Sequence, residues 1–286
     1  MKQAPTPATW TEILDELYAE DWDNNLKRHR SSFAFRGMVN AKWSIPTSLI
    51  RLGGSFKQLE KHMLRNFRKY AHRDVVERDS FWHWLTIAQH HGLPTRLLDW
   101  TYSPFVALHF ATDDLTKMNE DGVVWCVRIP EAHKHLPKPL KAALESEGSY
   151  VFTVEMLSRF ELPDITLSVA GFELSSSQFR PTQIKNLDDF DKMAKKPFAL
   201  FMEPPSIDDR IVNQFALFSV ISNASIMMDD WLQEYPDLYK KVIIPASLKW
   251  EVRDKLDQAN ITERVLFPGL DGLSKWLKRH YSPNST

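Results

Sequence analysis

Residues 89–104 constrain this chain more than any other segment, because they place histidine, arginine, aspartate, threonine and serine side chains between two apolar helical patterns. Gly92 and Pro94 predict a sharp turn directly after the first of these patterns. A rigid turn aims the polar side chains that follow it, whereas a free surface loop would not. The segment therefore predicts one wall of a ligand pocket.

The composition predicts one globular domain over residues 1–286, with a helical N-terminal elaboration at 8–30. The chain is 43% hydrophobic, and no Gly/Ser-rich or Pro-rich linker divides it. Its 36 basic and 37 acidic residues give a formal net charge of -1, which argues against binding to DNA or a membrane through overall charge. No run approaches the ~20 apolar residues of a membrane span. The single cysteine, Cys126, favours a reducing compartment, and we expect the cytoplasm.

The predicted helices and strands follow one another in irregular order, which favours an α+β fold. We expect a helix from residue 10, capped by Thr9, and a short strand over 32–37 that ends on Arg36 and a glycine. A buried strand over 97–100 leads to a helix that begins at Ser103 and Pro104. Further strands are predicted at 123–129, 198–202, 215–221 and 241–245. Further helices are predicted at 81–88, 140–144, 154–160 and 247–258, and a final helix follows residue 270 and runs through residue 276.

A helix over residues 56–73 is predicted to pack an apolar face and to present a basic face to the outside. The apolar face consists of Leu59, Met63, Phe67 and Tyr70. The basic face consists of Lys57, Lys61, His62, Arg65, Arg68, Lys69, His72 and Arg73. A solvated face is the favoured interpretation of these charges, and a contact with nucleic-acid phosphates is the alternative.

Common phosphate-binding, hydrolase and metal motifs are absent from the sequence. It contains no G-x-x-x-x-G-K-[ST], no G-x-G-x-x-G, no G-x-S-x-G and no H-E-x-x-H. His90 and His91 are adjacent and would point apart on a helix. The acidic pairs at 113–114, 208–209 and 229–230 are better explained as helix caps than as cation ligands. We therefore predict no metal site.

Three arginines lie at the ends of apolar or turn-forming segments rather than on a repeating charged face: Arg36, Arg51 and Arg96. Burial of an unpaired guanidinium is costly, so each needs a carboxylate, a carbonyl or an anionic ligand if it is buried. For Arg96, a salt bridge to Asp99 and a phosphate contact are both open. Arg36 is more available for a ligand than Arg96.

These motifs together resemble the FRG-domain family, named after the motif found here as Phe35-Arg36-Gly37. Residues 43–51 are similar to its W-x-L-x-P-S-L-x-R pattern, with Ile45 and Thr47 at the leucine and proline positions. Residues 89–111 resemble its longest signature, and residues 204–218 resemble P-P-x-x-x-x-R-I-x-x-Q-x-G-x-F. Residues 244–249 and 266–268 resemble the C-terminal part of the family. The resemblance thus extends from about residue 33 to about residue 277.

The resemblance implies an ADP-ribosyltransferase-like fold, in which a split β-sheet holds NAD in an extended groove. It implies an enzyme that transfers ADP-ribose from NAD to a macromolecule, either a nucleic acid such as RNA or a protein. Several relatives of this kind look like bacterial toxins or anti-phage effectors, so an antitoxin or a chaperone is a further candidate partner. The alternatives are a non-catalytic interaction module for nucleic acid or protein, and an NAD glycohydrolase.

The resemblance also implies the site residues. Arg36 would lie on the first catalytic strand, Thr101 and Ser103 at the second, and Gln214 near the third. The implied NAD-binding residues are Arg36, Gly37, Arg51, Arg96, Trp100, Thr101, Tyr102 and Ser103. Arginine suits the pyrophosphate, the hydroxyls can orient the ribose, and Trp100 or Tyr102 can stack on the nicotinamide, with a core role for Trp100 as the alternative.

The chain departs from the family pattern at three positions. Met38 replaces a polar residue, and Ala216 stands where the third motif has glycine. Gln214 is an amide, so it can hydrogen-bond a ribose hydroxyl but cannot act as a general base. The acid or base is therefore left open between Glu155, Glu203 and Asp99.

Overall fold

Eleven strands are present in the residues that the structure describes. The computed structural model describes residues 6–71, 80–160, 167–169, 172–174, 184 and 186–283. The strands are β1 (Trp22–Asp23), β2 (Arg28–His29), β3 (Phe33–Met38), β4 (Leu98–Thr101), β5 (Gly122–Arg128), β6 (Phe152–Thr153), β7 (Leu167–Val169), β8 (Phe172–Leu174), β9 (Ala199–Glu203), β10 (Ala216–Ile221) and β11 (Tyr239–Ile244). Seven of them form one sheet in the order β11-β5-β3-β4-β10-β9-β6, and the other four form two hairpins.

Fourteen helices surround the sheet within the described part of the chain. They are α1 (Trp10–Tyr18), α2 (Ser48–Leu52), α3 (Phe56–Ala71), α4 (Phe81–His90), α5 (Pro104–Ala111), α6 (Ile129–His133), α7 (Lys138–Glu147), α8 (Val154–Arg159), α9 (Leu187–Asp191), α10 (Asp209–Asn213), α11 (Met228–Gln233), α12 (Lys249–Gln258), α13 (Glu263–Leu266) and α14 (Leu270–His280). The mixture of a largely antiparallel sheet with helices confirms the predicted α+β class.

The sheet is divided by a weak seam between β3 and β4. These strands share a single registered pair in the described chain, Phe35 with Thr101. On either side of the seam the pairing is longer, with six pairs between β3 and β5 and four between β4 and β10. Strands β3 and β4 are antiparallel, so the residues after Phe35 lie opposite those before Thr101, and none of these is registered as a pair in the described chain. The sheet therefore lacks regular strand pairing at this part of its centre.

The core lies on both faces of the sheet and at the β6 end. Trp100, Trp125 and Phe201 belong to one buried cluster, and Phe35 and Cys126 belong to another on the α5 side. A third cluster packs α4, α7, α8 and α9 against β9 and β10. Burial of each large apolar side chain stabilises the fold by about 1.5–3 kcal/mol, so these clusters hold the two halves of the sheet in place around the seam.

Gly37 explains how α5 lies so close to β3. A Cβ atom at this position would stand 1.8 Å from the carbonyl oxygen of Ala107 and 2.7 Å from the nitrogen of Ala111. Both are backbone atoms, so no side-chain movement could relieve the contact. The F-R-G glycine is therefore required for packing, and it brings the end of α5 to the seam.

Most predicted elements are confirmed, including the Thr9 cap, whose hydroxyl accepts a hydrogen bond from the Glu12 nitrogen. The strand predicted over 32–37 is confirmed as β3, but it ends one residue later, because Met38 continues the pairing with β5. Arg36 therefore lies within the strand and not at its end.

The predicted packing of the apolar face of α3 is wrong at its two ends, while Met63 and Phe67 between them are half-buried. Leu59 is 42% exposed and Tyr70 is 75% exposed, and the buried residue of this helix is Glu60. Periodicity shows that one face is apolar, but an ion pair of Glu60 with Arg96 decides which face turns inward. His72 and Arg73 lie outside the described residues.

Candidate active site

A cavity of about 320 Å³ lies at the seam between β3 and β4. Its wall contains residues 35–39 at the end of β3, residues 99–101 of β4 and Arg51 in α2. It also contains Phe110 in α5 and Asp113 just after it, with Arg210, Gln214 and Ala216 at and after α10. The prediction of a pocket wall from residues 89–104 thus applies to the last part of that segment, where Asp99, Trp100 and Thr101 line the cavity.

Arg36 spans the seam. Its Nη1 donates a hydrogen bond of 2.5 Å to the carbonyl oxygen of Asp99, while its Nε is buried and has no partner among the described residues. Burial lowers the pKa of Arg36, the Asp99 carboxylate opposes that effect, and the positive charge of Arg51 adds to the lowering. A guanidinium stays charged at any ordinary pH, so this group is a cation with unused donor capacity beside a cavity.

Two further arginines line the same cavity, Arg51 and Arg210. Both are exposed, and neither forms an ion pair with a carboxylate of the described residues. The guanidinium of Arg210 lies 5.1 Å above the centre of the Phe267 ring, which orients it without neutralising it. Three arginines therefore surround a cavity whose wall contains only two carboxylates, Asp99 and Asp113, in the described chain.

Thr101 and Gln214 join the two sides of the cavity wall. The Thr101 hydroxyl donates to the Gln214 carbonyl oxygen at 2.7 Å and accepts from the Ser103 nitrogen at 3.0 Å. The Gln214 side-chain nitrogen donates to the Leu266 carbonyl oxygen at 2.8 Å. Both predicted site residues thus lie at the cavity, and both also fix α10 against its neighbours.

Two other predicted residues, Ser103 and Tyr102, have structural partners. The Ser103 hydroxyl accepts from the Val106 nitrogen as the cap of α5, and Ser103 does not line the cavity. The Tyr102 hydroxyl donates to the carboxylate of Glu203 at 2.8 Å, away from the cavity wall. Burial and then that carboxylate raise the pKa of Tyr102. Their roles toward NAD remain predictions.

Trp100 is held in the core. Its indole nitrogen donates to the Ser219 hydroxyl at 2.8 Å, and its ring packs edge-on against Phe201 with 5.6 Å between ring centres. It is 3% exposed, so little of the ring is free to stack on a ligand. The geometry favours the core alternative for this residue.

Arg96 lies outside the cavity wall and is 6% exposed. It forms ion pairs with Glu60 and with Asp191, each at 2.6 Å. Burial alone would lower the pKa of Arg96, but its hydrogen bonds to Glu60 and the charges of both acids raise it. The predicted ion pair with Asp99 is wrong, because α3 brings Glu60 to the guanidinium while Asp99 accepts a hydrogen bond from Gln89.

The carboxylate that sequence reasoning missed is Asp113. The adjacent acids at 113–114 predict a helix cap, and Asp114 does cap a short 3-10 turn by accepting from the Thr116 nitrogen at 2.9 Å. Asp113 instead lines the cavity and forms no hydrogen bond or ion pair within the described residues. The pair of acids itself is a signal, because one acid is sufficient for a cap and the other is then available for a different role.

The other acid candidates differ from Asp113 in position. Glu203 is bonded to Tyr102, and Glu155 lies on α8, which contributes nothing to the cavity wall. Asp99 lines the cavity, with its carboxylate bonded to Gln89.

Most of the residues that line the cavity lie in one segment that matches a known domain family. The FRG domain model matches residues 31–120 of the chain. This match confirms the resemblance inferred from the sequence over those residues. The matched segment includes β3, β4 and α5, and with them Arg36, Arg51, Asp99 and Asp113. Arg210 and Gln214 complete the wall from outside it. Comparisons with curated proteins and with solved structures gave no match.

The described residues offer neither a metal cluster nor a membrane-spanning helix. No group of three or more histidine, cysteine, aspartate or glutamate side chains in the described ranges could hold a metal ion. None of the helices in the described part of the chain has both the length and the apolar character needed to cross a membrane.

Proposed function

We propose that this FRG-domain chain is an ADP-ribosyltransferase, which cleaves NAD and transfers ADP-ribose to a macromolecule. The observation that carries the proposal is Arg36, a cation at the seam of the sheet whose Nε lacks a partner in the described residues. A buried donor without a partner costs about 1–3 kcal/mol, so the protein does not fully satisfy this guanidinium. An anionic ligand in the cavity that Arg36 lines would stabilise its charge. The sparse strand pairing between β3 and β4 supports the ADP-ribosyltransferase-like fold as part of the same proposal.

The charge of the cavity fits a dinucleotide. Arg36, Arg51 and Arg210 would hold the two negative charges of the pyrophosphate, because guanidinium groups bind phosphate oxygens through paired N–H donors. Trp43, at the edge of the cavity and 48% exposed, and Phe110 offer aromatic faces for the rings. NAD supplies the glycosidic bond between ribose and nicotinamide that the reaction breaks.

The proposed acceptor of ADP-ribose is either a nucleic acid or a protein. Part of the basic face of α3 is already used inside the protein, because Lys61 pairs with Asp188 and the Arg68 guanidinium lies 5.7 Å from the centre of the Trp84 ring. The remaining charges can still contact phosphates. The proposed setting is a bacterial toxin or anti-phage effector, with an antitoxin or chaperone as a further candidate partner.

The test is incubation of the protein with radiolabelled NAD and cell extract, followed by separate nuclease and protease digestion. We expect labelled macromolecules with the wild type and none with Arg36→Ala. Nuclease-sensitive label would identify a nucleic-acid acceptor, and protease-sensitive label a protein. Arg159→Ala, at the exposed end of α8, is the matched control and should retain transfer.

Three results would contradict the proposal. Release of free ADP-ribose without labelled macromolecules would identify an NAD glycohydrolase. No heat of NAD binding and no nicotinamide release would favour a non-catalytic interaction module. Undiminished transfer by a folded Arg36→Ala variant would place the site elsewhere.

A further inference from the structure

Asp113 has the position and the freedom that a general base needs. It follows α5 directly and lines the same cavity as Arg36 and Gln214. Its carboxylate is half-buried and forms no hydrogen bond or ion pair within the described residues. By contrast, Asp99 is engaged by Gln89, and Glu203 by Tyr102. Asp113 is therefore the cavity carboxylate that can exchange a proton without first breaking a bond to the protein.

The surroundings of Asp113 are mixed in charge. The groups that face it from the elements packed nearby are Lys275 of α14, Arg253 of α12, Glu263 of α13 and the adjacent Asp114. Across the cavity lie Arg36, Arg51, Arg210 and Asp99, and His109 of α5 is buried beside Arg253. Burial lowers the pKa of His109 to about 3, with Arg253 as the next cause, so its imidazole is neutral.

Burial is the largest influence on Asp113 itself and raises its pKa to about 6. Lys275 and Arg253 oppose this effect, while Asp114 and Glu263 reinforce it. A carboxylate with a pKa close to the working pH is a better proton acceptor than one with an ordinary value. Arg253 is already paired with Glu263 at 3.0 Å, so it does not neutralise Asp113 directly.

We propose that Asp113 is the general base of the transfer reaction, which removes the proton of the acceptor group that attacks the ribose. This inference rests on the proposed function. An acceptor oxygen or nitrogen forms a bond to the ribose C1 atom, and the bond from that atom to nicotinamide breaks. The electron pair of the broken bond leaves with nicotinamide, which departs neutral, and the acceptor's proton moves to the Asp113 carboxylate. No oxidant, reductant or metal is needed.

The proposal predicts a defined pH dependence. Below pH about 6 the Asp113 carboxyl is protonated and cannot accept a proton, whereas above this pH it is ionised and active. The rate of transfer should therefore rise with pH through about 6 and then level off.

The experiment compares Asp113→Asn, Asp113→Glu and Asp114→Asn with the wild type. Asp114→Asn is the matched control, because asparagine also caps helices and Asp114 is not part of the cavity wall. NAD binding is measured by calorimetry, and label transfer is measured from pH 5 to pH 8. Carboxyl-carbon NMR of the protein without NAD follows the titration of Asp113 independently of activity.

We expect Asp113→Asn to bind NAD with an affinity within about threefold of the wild type and to lose transfer by roughly 10²–10⁴-fold. It should also lose the rise in rate near pH 6 and the NMR signal that titrates there. Asp113→Glu should restore part of the rate. Asp114→Asn should keep the wild-type rate above pH 7, while its rise in rate should lie at a slightly lower pH, because the charge of Asp114 no longer raises the pKa of Asp113.

Different failures have different meanings. If the wild type transfers label and Asp113→Asn does so at the same rate with the same pH dependence, Asp113 is not the base while the proposed function stands. If the wild type neither binds NAD nor releases nicotinamide, the proposed function is overturned and this inference with it.

Discussion

Two arginines of the FRG domain, Arg96 and Arg36, differ in what satisfies their charge. Arg96 is bonded to two carboxylates, Glu60 and Asp191, at 2.6 Å each. Arg36 has one backbone carbonyl, a second cation nearby and an Nε without a partner in the described residues. A fully paired arginine holds a fold together, whereas an incompletely paired one beside a cavity is available to a ligand.

The largest effect that follows from this comparison concerns stability at Arg96. Arg96→Ala leaves Glu60, which is 3% exposed, as an uncompensated buried charge. We expect the free energy of unfolding to fall by about 3–5 kcal/mol, measured by urea denaturation. Arg159→Ala should change it by less than about 0.5 kcal/mol. An equally small change for Arg96→Ala would mean that the ion pairs contribute no net stability.

The second effect is functional and concerns Arg36. Arg36→Ala should lower the rate of ADP-ribose transfer by about 100-fold or more, the effect expected when a preorganised charged donor is removed from an active site. The free energy of unfolding should change much less than in Arg96→Ala, because only one hydrogen bond to a backbone carbonyl is lost. Label transfer and urea denaturation of the same preparation check both parts. A large loss of stability with normal transfer would reverse the comparison.

A smaller effect is expected at the two exposed arginines of the cavity. Arg51→Ala and Arg210→Ala should each weaken NAD binding by about tenfold, equivalent to ~1.4 kcal/mol. Because both groups are exposed to solvent, the effect should shrink as salt is raised. Calorimetry at low and high ionic strength measures it. Unchanged affinity in both variants would leave the phosphate contacts to Arg36 alone.

The last effect is a pH-dependent change in stability at Asp113. Its pKa is raised from 3.8 to about 6 in the folded protein, so the folded state binds the proton more tightly than the unfolded state. The carboxyl therefore costs stability as the pH rises from about 4 to above 6. Asp113→Asn should unfold at a higher temperature than the wild type above pH 6, with the difference vanishing near pH 4. A difference that does not vary with pH would show that the raised pKa is wrong.

Local features of the fold could be predicted from the sequence. The cap at Thr9, the helix that begins after Ser103 and the strands on both sides of the cavity follow from short-range patterns. The position of Arg36 at a ligand-sized cavity, with Arg51, Thr101 and Gln214 in the same wall, agrees with motif spacing.

Long-range pairings could not be predicted in the same way. The partner of Arg96 is Glu60, 36 residues earlier, and only the packing of α3 brings them together. The Asp113 carboxylate is left without a hydrogen bond in the described chain because the adjacent Asp114 is the cap. Arg210 lines the cavity because α10 packs beside it. Each of these is decided by tertiary contacts between segments that the sequence pattern treats separately.

The most direct test of the account is a calorimetric titration of NAD into the wild type and into Arg36→Ala at low salt, with unfolding curves recorded for both. We expect a heat of binding in the wild type that is lost in a folded Arg36→Ala variant. No heat in the wild type, or the same affinity in both proteins, would contradict the claim that the seam between β3 and β4 is an NAD site.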